Sequence, residues 1–192
     1  MNEHLSDAAL LRRAQAGDFD AFAELTEPHR RSACEFLSGL VGAHTAEDVF
    51  MKATLNAWRA IKTFNEKSSY RTWLFSIARY AALDELRKEK ARREVSVDKE
   101  DSGFDIGRME DAATPSPGKN IEDDERNQIV ITAIQNLPEK HRSVVLLYYY
   151  QNFQYSEIAK TLDISIGTVM SRLYHAKRKL EKILKPIQKD LI

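Results

Sequence analysis

Phe153-Gln154-Tyr155-Ser156-Glu157-Ile158-Ala159-Lys160-Thr161-Leu162-Asp163-Ile164-Ser165-Ile166-Gly167-Thr168-Val169 puts two helical patterns on either side of a tight turn. Ile158, Ala159 and Leu162 share one face of a short first helix. Asp163 stands where the chain reverses, and Asp accepts a left-handed backbone better than most residues. Ser165 is placed to cap the next helix. The spacing is that of a helix-turn-helix.

On the second helix, Val169, Leu173, Ala176, Leu180 and Ile183 recur every three or four residues and form an inward stripe. Thr168, Ser171, Arg172, His175, Arg178, Lys179 and Lys182 fall on the other side. A polar helix start with a cationic flank suits a DNA major groove, where Ser, Thr and Arg reach base edges while Lys and the helix N-terminus take phosphates. Upstream, Leu137-Pro138-Glu139 opens a further helix with Pro in its first turn, and Val144 to Tyr150 packs it into a core.

Working outward, the charge is divided. The 192 residues carry 29 Lys and Arg against 29 Asp and Glu, yet residues 1–93 are net +2, residues 94–125 net −8 and residues 126–192 net +6. A basic C-terminal third is the electrostatic footprint of a nucleic-acid partner, which the balanced total conceals. Residues 94–120 contain Thr114-Pro115-Ser116-Pro117-Gly118 and lack any sustained apolar period, so they read as a flexible acidic linker. Such a linker spans roughly 30 Å as a coil and up to about 90 Å when stretched. The expected organisation is all-α: a helical domain over 1–93, the linker over 94–120, and a second helical domain over 121–192.

The N-terminal half shows three long helical patterns. The first runs from about 19 to 39, after Gly17-Asp18 and up to Gly39. The second starts at a Thr45 cap and ends near Phe64, and the third begins after Ser68-Ser69 and runs to Arg93. Between the last two lies the polar loop Phe64-Asn65-Glu66-Lys67-Ser68-Ser69, followed by Tyr70, Arg71, Trp73, Phe75, Arg79 and Tyr80. Aromatic faces replace roughly 1–3 kcal/mol of the stacking that an extruded base loses, while arginines hold its phosphates. Aromatics at helical spacing also pack cores, and both readings stand at this point.

Several classes are excluded or disfavoured. The longest apolar run falls far short of the roughly 20 residues a membrane span needs. The start, Met1 to Asp7, has no basic and apolar signal pattern, which gives the cytoplasm as the expected compartment and no membrane insertion. A single cysteine, Cys34, permits no internal disulfide and no multi-cysteine zinc site. His29 and Cys34 are five apart, off one helical face, with no accompanying base or phosphate loop. No enzymatic activity and no cofactor are expected.

In order along the chain, several motifs resemble the extracytoplasmic-function (ECF) sigma factors of the sigma-70 family. Ala16-Gly17-Asp18-Phe19-Asp20-Ala21-Phe22, Ala46-Glu47-Asp48-Val49, Ala57-Trp58-Arg59-Ala60-Ile61-Lys62-Thr63-Phe64 and Tyr70-Arg71-Thr72-Trp73-Leu74-Phe75-Ser76-Ile77-Ala78-Arg79 look like sigma region 2. Leu137-Pro138 through Arg142, Tyr155 to Ala159 and Gly167-Thr168-Val169-Met170-Ser171-Arg172-Leu173 look like region 4. The resemblance implies a dissociable subunit that binds core RNA polymerase, directs it to promoter DNA and helps open the duplex, with an anti-sigma factor as a further partner. It places polymerase contacts on helix 45–63 at Asp48, Met51, Lys52, Leu55 and Arg59. Minus-10 contacts fall at Phe64, Asn65, Ser68, Ser69, Tyr70, Trp73, Arg79 and Tyr80, and minus-35 contacts at Ser165, Gly167, Thr168, Met170, Ser171, Arg172, Tyr174, His175, Arg178 and Lys179. The alternative is a sigma-like regulator that binds DNA or an anti-sigma partner without recruiting polymerase.

The chain also departs from the pattern. Met51 and Lys52 follow Asp48-Val49-Phe50 where a Gln and an acid are usual, Tyr80 replaces a common Asn, and Tyr148, Met170 and His175 stand where cations are frequent. Each phosphate left without a cation lowers the salt dependence of DNA binding by about 0.9 in log–log slope. Weak standalone binding and an atypical minus-35 preference are therefore expected.

Overall fold

The computed structural model describes residues 6–97 and 129–189. Among them every regular element is helical, as the composition and periodicity require. In order these are α1 (Asp7–Gln15), α2 (Phe19–Val41), α3 (Ala43–Ala60) with a 3-10 turn at Ile61–Thr63, α4 (Tyr70–Val97), α5 (129–135), α6 (Glu139–Val145) continuing into a π-helical turn at Leu146–Tyr150, α7 (Tyr155–Leu162) and α8 (Ile166–Lys189).

α1 is an element the sequence patterns did not bring out; it is short, and it is held by burying Leu10, Leu11 and Ala14. Gly17 (φ 102°) turns the chain into Asp18, whose carboxylate accepts from the Ala21 N–H at 3.1 Å and pairs with Arg13 at 2.7 Å. That N–H, and then Arg13, hold the Asp18 carboxyl below its ordinary value.

Two helix boundaries differ from the sequence reading. Gly39 does not stop α2, which runs on to Val41. Its lack of a side chain serves packing instead, since a Cβ there would lie 2.6 and 2.7 Å from the two methyls of Leu146. The break falls at Gly42, with φ 87° and ψ 158°, a backbone region that only glycine occupies without strain. α3 therefore begins at Ala43, and Thr45 lies within its first turn rather than capping it. Replacing Gly42 with Ala should cost about 1–3 kcal/mol, read as a lower urea midpoint, although no atom lies near enough to clash with the new methyl.

α4 starts where Ser69 Oγ accepts from the Thr72 N–H at 3.1 Å. It continues beyond Arg93 to Val97, so residues 94–97 of the expected linker are helical; the rest of that segment, from 98, lies outside the described residues. In the C-terminal half, Arg142 donates to the carbonyls of Leu137 and Leu40 at 3.1–3.3 Å, and so ties α6 to the C-terminal end of α2.

Two apolar cores result. One gathers Leu10, Phe22, Leu25, Ala57, Ile61, Phe64, Tyr70 and Leu74. The other joins Phe36, Leu37, Val49, Phe50 and Phe75 of the N-terminal half to Leu137, Val144, Leu147, Phe153, Ile158 and Val169 of the C-terminal half. The linker composition gives the halves as separate domains. In the structure they meet here, because α4 carries apolar residues on two faces and the second is covered by Phe153, whose ring centroid lies 5.0 Å from that of Phe75.

Candidate nucleic-acid interface

The reversal between α7 and α8 is built as the sequence demands. Asp163 is left-handed (φ 52°, ψ 54°), and the Ile164 N–H closes back onto the Ala159 carbonyl at 3.0 Å. Ser165 Oγ accepts from the Thr168 N–H at 3.1 Å and caps α8. At the other end of α7, Gln154 and Glu157 form a reciprocal capping box.

Val169 and Ala176 are fully buried, which fixes the rotation of α8. Ser165, Gly167, Met170, Ser171, Tyr174, His175, Arg178 and Lys179 are consequently exposed together, with Thr168 and Arg172 half-buried at the edge. Arg178 donates to the Tyr174 hydroxyl at 3.2 Å and lies 6.0 Å over its ring, so an aromatic pre-positions this cation. Eight of the ten expected minus-35 residues are thus exposed around α8 and its cap, and the other two border them.

Beneath that surface lies His141, 7% exposed, with its ring stacked on that of His175 at 6.5 Å and its Nδ1 without a partner. Burial first, then Lys179, Lys140, His175 and Arg172, hold its pKa below the ordinary histidine value. A depressed histidine stabilises the fold while it is neutral. Its contribution is complete above the unfolded value of about 6.5 and is lost as pH falls through the lower folded value. Between pH 7.5 and 5.5 the wild-type urea midpoint should therefore fall further than that of His141→Gln.

The expected minus-10 residues divide into groups. Phe64 and Tyr70 are buried, with Tyr70 hydrogen-bonded to Thr26 at 2.7 Å, and both rings pack on Trp73. Burial, opposed by the Thr26 bond, pushes the Tyr70 hydroxyl up to about 12. These two residues anchor the loop and are not free stacking faces, which corrects the expectation from sequence. Asn65 and Ser69 are exposed, and Ser68 and Trp73 are half-buried. Glu66, between Asn65 and Ser69 and also exposed, takes a positive φ of 58°. Arg71 and Arg79 face the C-terminal half: Arg71 donates to the Gln151 carbonyl at 2.8 Å, and Arg79 pairs with Glu139 at 3.2 Å.

Tyr80 points elsewhere. It lines a groove of about 370 Å³ between α3 and α4 together with Lys52, Leu55, Asn56, Arg59, Asp84 and Lys88, so it joins the expected polymerase-contacting residues rather than the loop. Asp48, Met51, Lys52, Leu55 and Arg59 are all exposed along one stripe of α3. Lys52 is matched internally, its ammonium 2.7 Å from Glu85, and this bond, more than any other effect, lowers the Glu85 carboxyl. Glu85, Asp84 and Lys88 were missed from sequence, since nothing local marks a pair 33 residues apart.

Cys34 is half-buried, and burial pushes its thiol up to about 11, with Glu47 adding to the shift. Among the described residues no three His, Cys, Asp or Glu side chains are placed to hold a metal ion, and no helix is long and apolar enough to cross a membrane.

Comparison with known proteins gives the same two parts. Residues 25–92 match the sigma-70 region 2 family and residues 127–180 the sigma-70 region 4 family. The ECF RNA polymerase sigma-E factor of Haemophilus influenzae is 30% identical over 190 residues, covering 97% of this chain and all of the relative. The chain belongs to the ECF sigma factors of the sigma-70 family. The Escherichia coli K12 sigma-E factor is 31% identical over 191 residues, 97% of this sigma factor and 98% of the relative. Among solved structures, the sigma factor RpoE in complex with the anti-sigma factor NepR from Bartonella quintana superposes with a TM-score of 0.66 at 25% identity, over 88% of this chain and 97% of that one. CnrH in complex with the cytosolic domain of CnrY shares the fold, with a TM-score of 0.68 at 21% identity over 95% and 99% of the two chains. This sigma factor is a transcription initiation factor that works with core RNA polymerase on promoter DNA.

Proposed function

We propose the following division of labour within this sigma factor. Residues 1–93 bind core polymerase through the exposed α3 stripe and take the unpaired minus-10 strand on loop Asn65–Ser69, Trp73, Arg71 and Arg79. Residues 121–192 read the minus-35 element with α8, and 94–120 join the two. The observation that carries this reading is the α8 surface, where Ser165, Ser171, Tyr174, His175, Arg178 and Lys179 are exposed on a helix held by the buried Val169 and Ala176. The chain positions DNA and performs no chemistry of its own. An anti-sigma factor is a fitting partner, as it is for the Bartonella protein, and action on promoters places the chain in the cytoplasm.

The test is reconstituted transcription with core polymerase on a genomic promoter library. Specific starts are expected with the wild-type chain, and their absence would overturn the reading. Replacing Asn65–Ser69 with Gly-Ser sequence should reduce strand opening, read by permanganate reactivity, at least tenfold while changing closed-complex binding less than threefold.

A further inference from the structure

The same α4 face that supplies Arg71 and Arg79 is the face on which the C-terminal half sits. Arg71 lies against the rings of Phe153 and Phe75, 4.3 and 5.4 Å from their centroids, and its guanidinium donates to the Gln151 carbonyl. A neutral oxygen, rather than a carboxylate, accepts from it there. Burial holds its pKa below the ordinary arginine value, with Glu157 opposing. Arg79, whose side chain is 11% exposed, is held by Glu139, and Glu139 also accepts from Ser143 at 2.8 Å. Lys160 of α7 donates to the Lys67 carbonyl at 2.7 Å, within the loop itself.

This joint is incompletely satisfied. Arg79 Nε and Gln151 Nε2 are buried without partners, and Arg71 is a part-buried cation on a neutral acceptor. Buried polar groups in that condition cost free energy that a competing ligand recovers by pairing them. A DNA phosphate offers Arg71 a stronger, charge-assisted hydrogen bond than its backbone carbonyl does, and offers Arg79 an acceptor for the Nε that Glu139 leaves unpaired.

We infer that the C-terminal half is an intramolecular competitor of the minus-10 strand, with Glu139 and the Gln151 carbonyl occupying on Arg79 and Arg71 the places that strand phosphates take. The competition rests on the assignment of those arginines to the strand proposed above. The free chain is then closed, and its affinity for single-stranded DNA is reduced by the fraction of molecules that are open. Polymerase, by holding the two halves apart, uncovers the strand site only where the strand is to be opened.

The test uses the full chain, with small-angle scattering for its size and fluorescence anisotropy on a fluorescein-labelled 12-nucleotide single-stranded DNA of mixed sequence. Glu139→Gln removes the carboxylate that holds Arg79. Gly39→Leu drives a side chain into Leu146 across the joint, alters no charge and touches no proposed DNA contact. Both variants should enlarge the chain and tighten binding at least threefold. The double variant Glu139→Gln/Arg79→Gln should lose the gain. Unchanged affinity in both single variants overturns the inference whatever their size, as does a double variant that binds as tightly as Glu139→Gln. Wild-type chain that fails to initiate with polymerase would instead overturn the functional reading, which the strand comparison does not address.

Discussion

Replacing Phe153 with Ala should destabilise the full chain by about 3–5 kcal/mol, the cost of truncating a fully enclosed aromatic. Phe153 is 2% exposed, lies against Phe75, and forms one of the two rings beside Arg71. The substitution removes packing from the shared core and leaves the Arg71 cation facing a cavity, so two penalties combine. Urea unfolding followed by circular dichroism is the measurement. A loss below about 1 kcal/mol would show that Phe153 is not enclosed in this shared core in solution, because an exposed aromatic costs little to truncate.

Removing the cationic edge of α8 should have the largest functional effect. Arg172→Ala with Lys179→Ala is expected to weaken minus-35-dependent initiation by about 2–4 kcal/mol, on the order of a hundredfold, if one residue reads a base edge and the other a phosphate. The log–log salt slope of promoter binding should become shallower by about 0.9 for each phosphate that is no longer neutralised. Neither side chain contributes to the core, since Lys179 is exposed and Arg172 only half-buried, so the urea midpoint should stay within error of wild type. Abortive-initiation rates on templates with and without the minus-35 element separate promoter reading from loss of fold. Equal losses on both templates would refute the assignment.

What could be read from sequence follows the range of the interactions. The turn at Asp163, the Ser165 cap and the inward stripe of α8 are local, and the structure has them where the residues put them. Helical periodicity leaves the stripe from Asp48 to Arg59 exposed, and only the family resemblance marks it as a contact surface. Gly39 misled because an isolated glycine marks a helix end only when nothing needs its missing side chain, and here Leu146, far along the chain, does. Phe64 and Tyr70 misled for the opposite reason: aromatics next to a polar loop look like a surface until α1 and α2 cover them. The Lys52–Glu85 and Arg79–Glu139 pairs join residues 33 and 60 apart, and no period or cap announces them.

The wide turn at Leu146–Tyr150 has a consequence for how this protein tolerates change. There the Gln151 N–H reaches back five residues to Leu146, and the Phe153 N–H returns to Leu147, so one more amino acid is accommodated than an ordinary coil of helix would take. Loss of a single codon in this stretch would let the coil tighten to an ordinary helical turn, and the elements downstream would keep nearly the same heading about its axis. The recognition surface would survive intact and still correctly aimed, because the spare amino acid is slack that a deletion takes up.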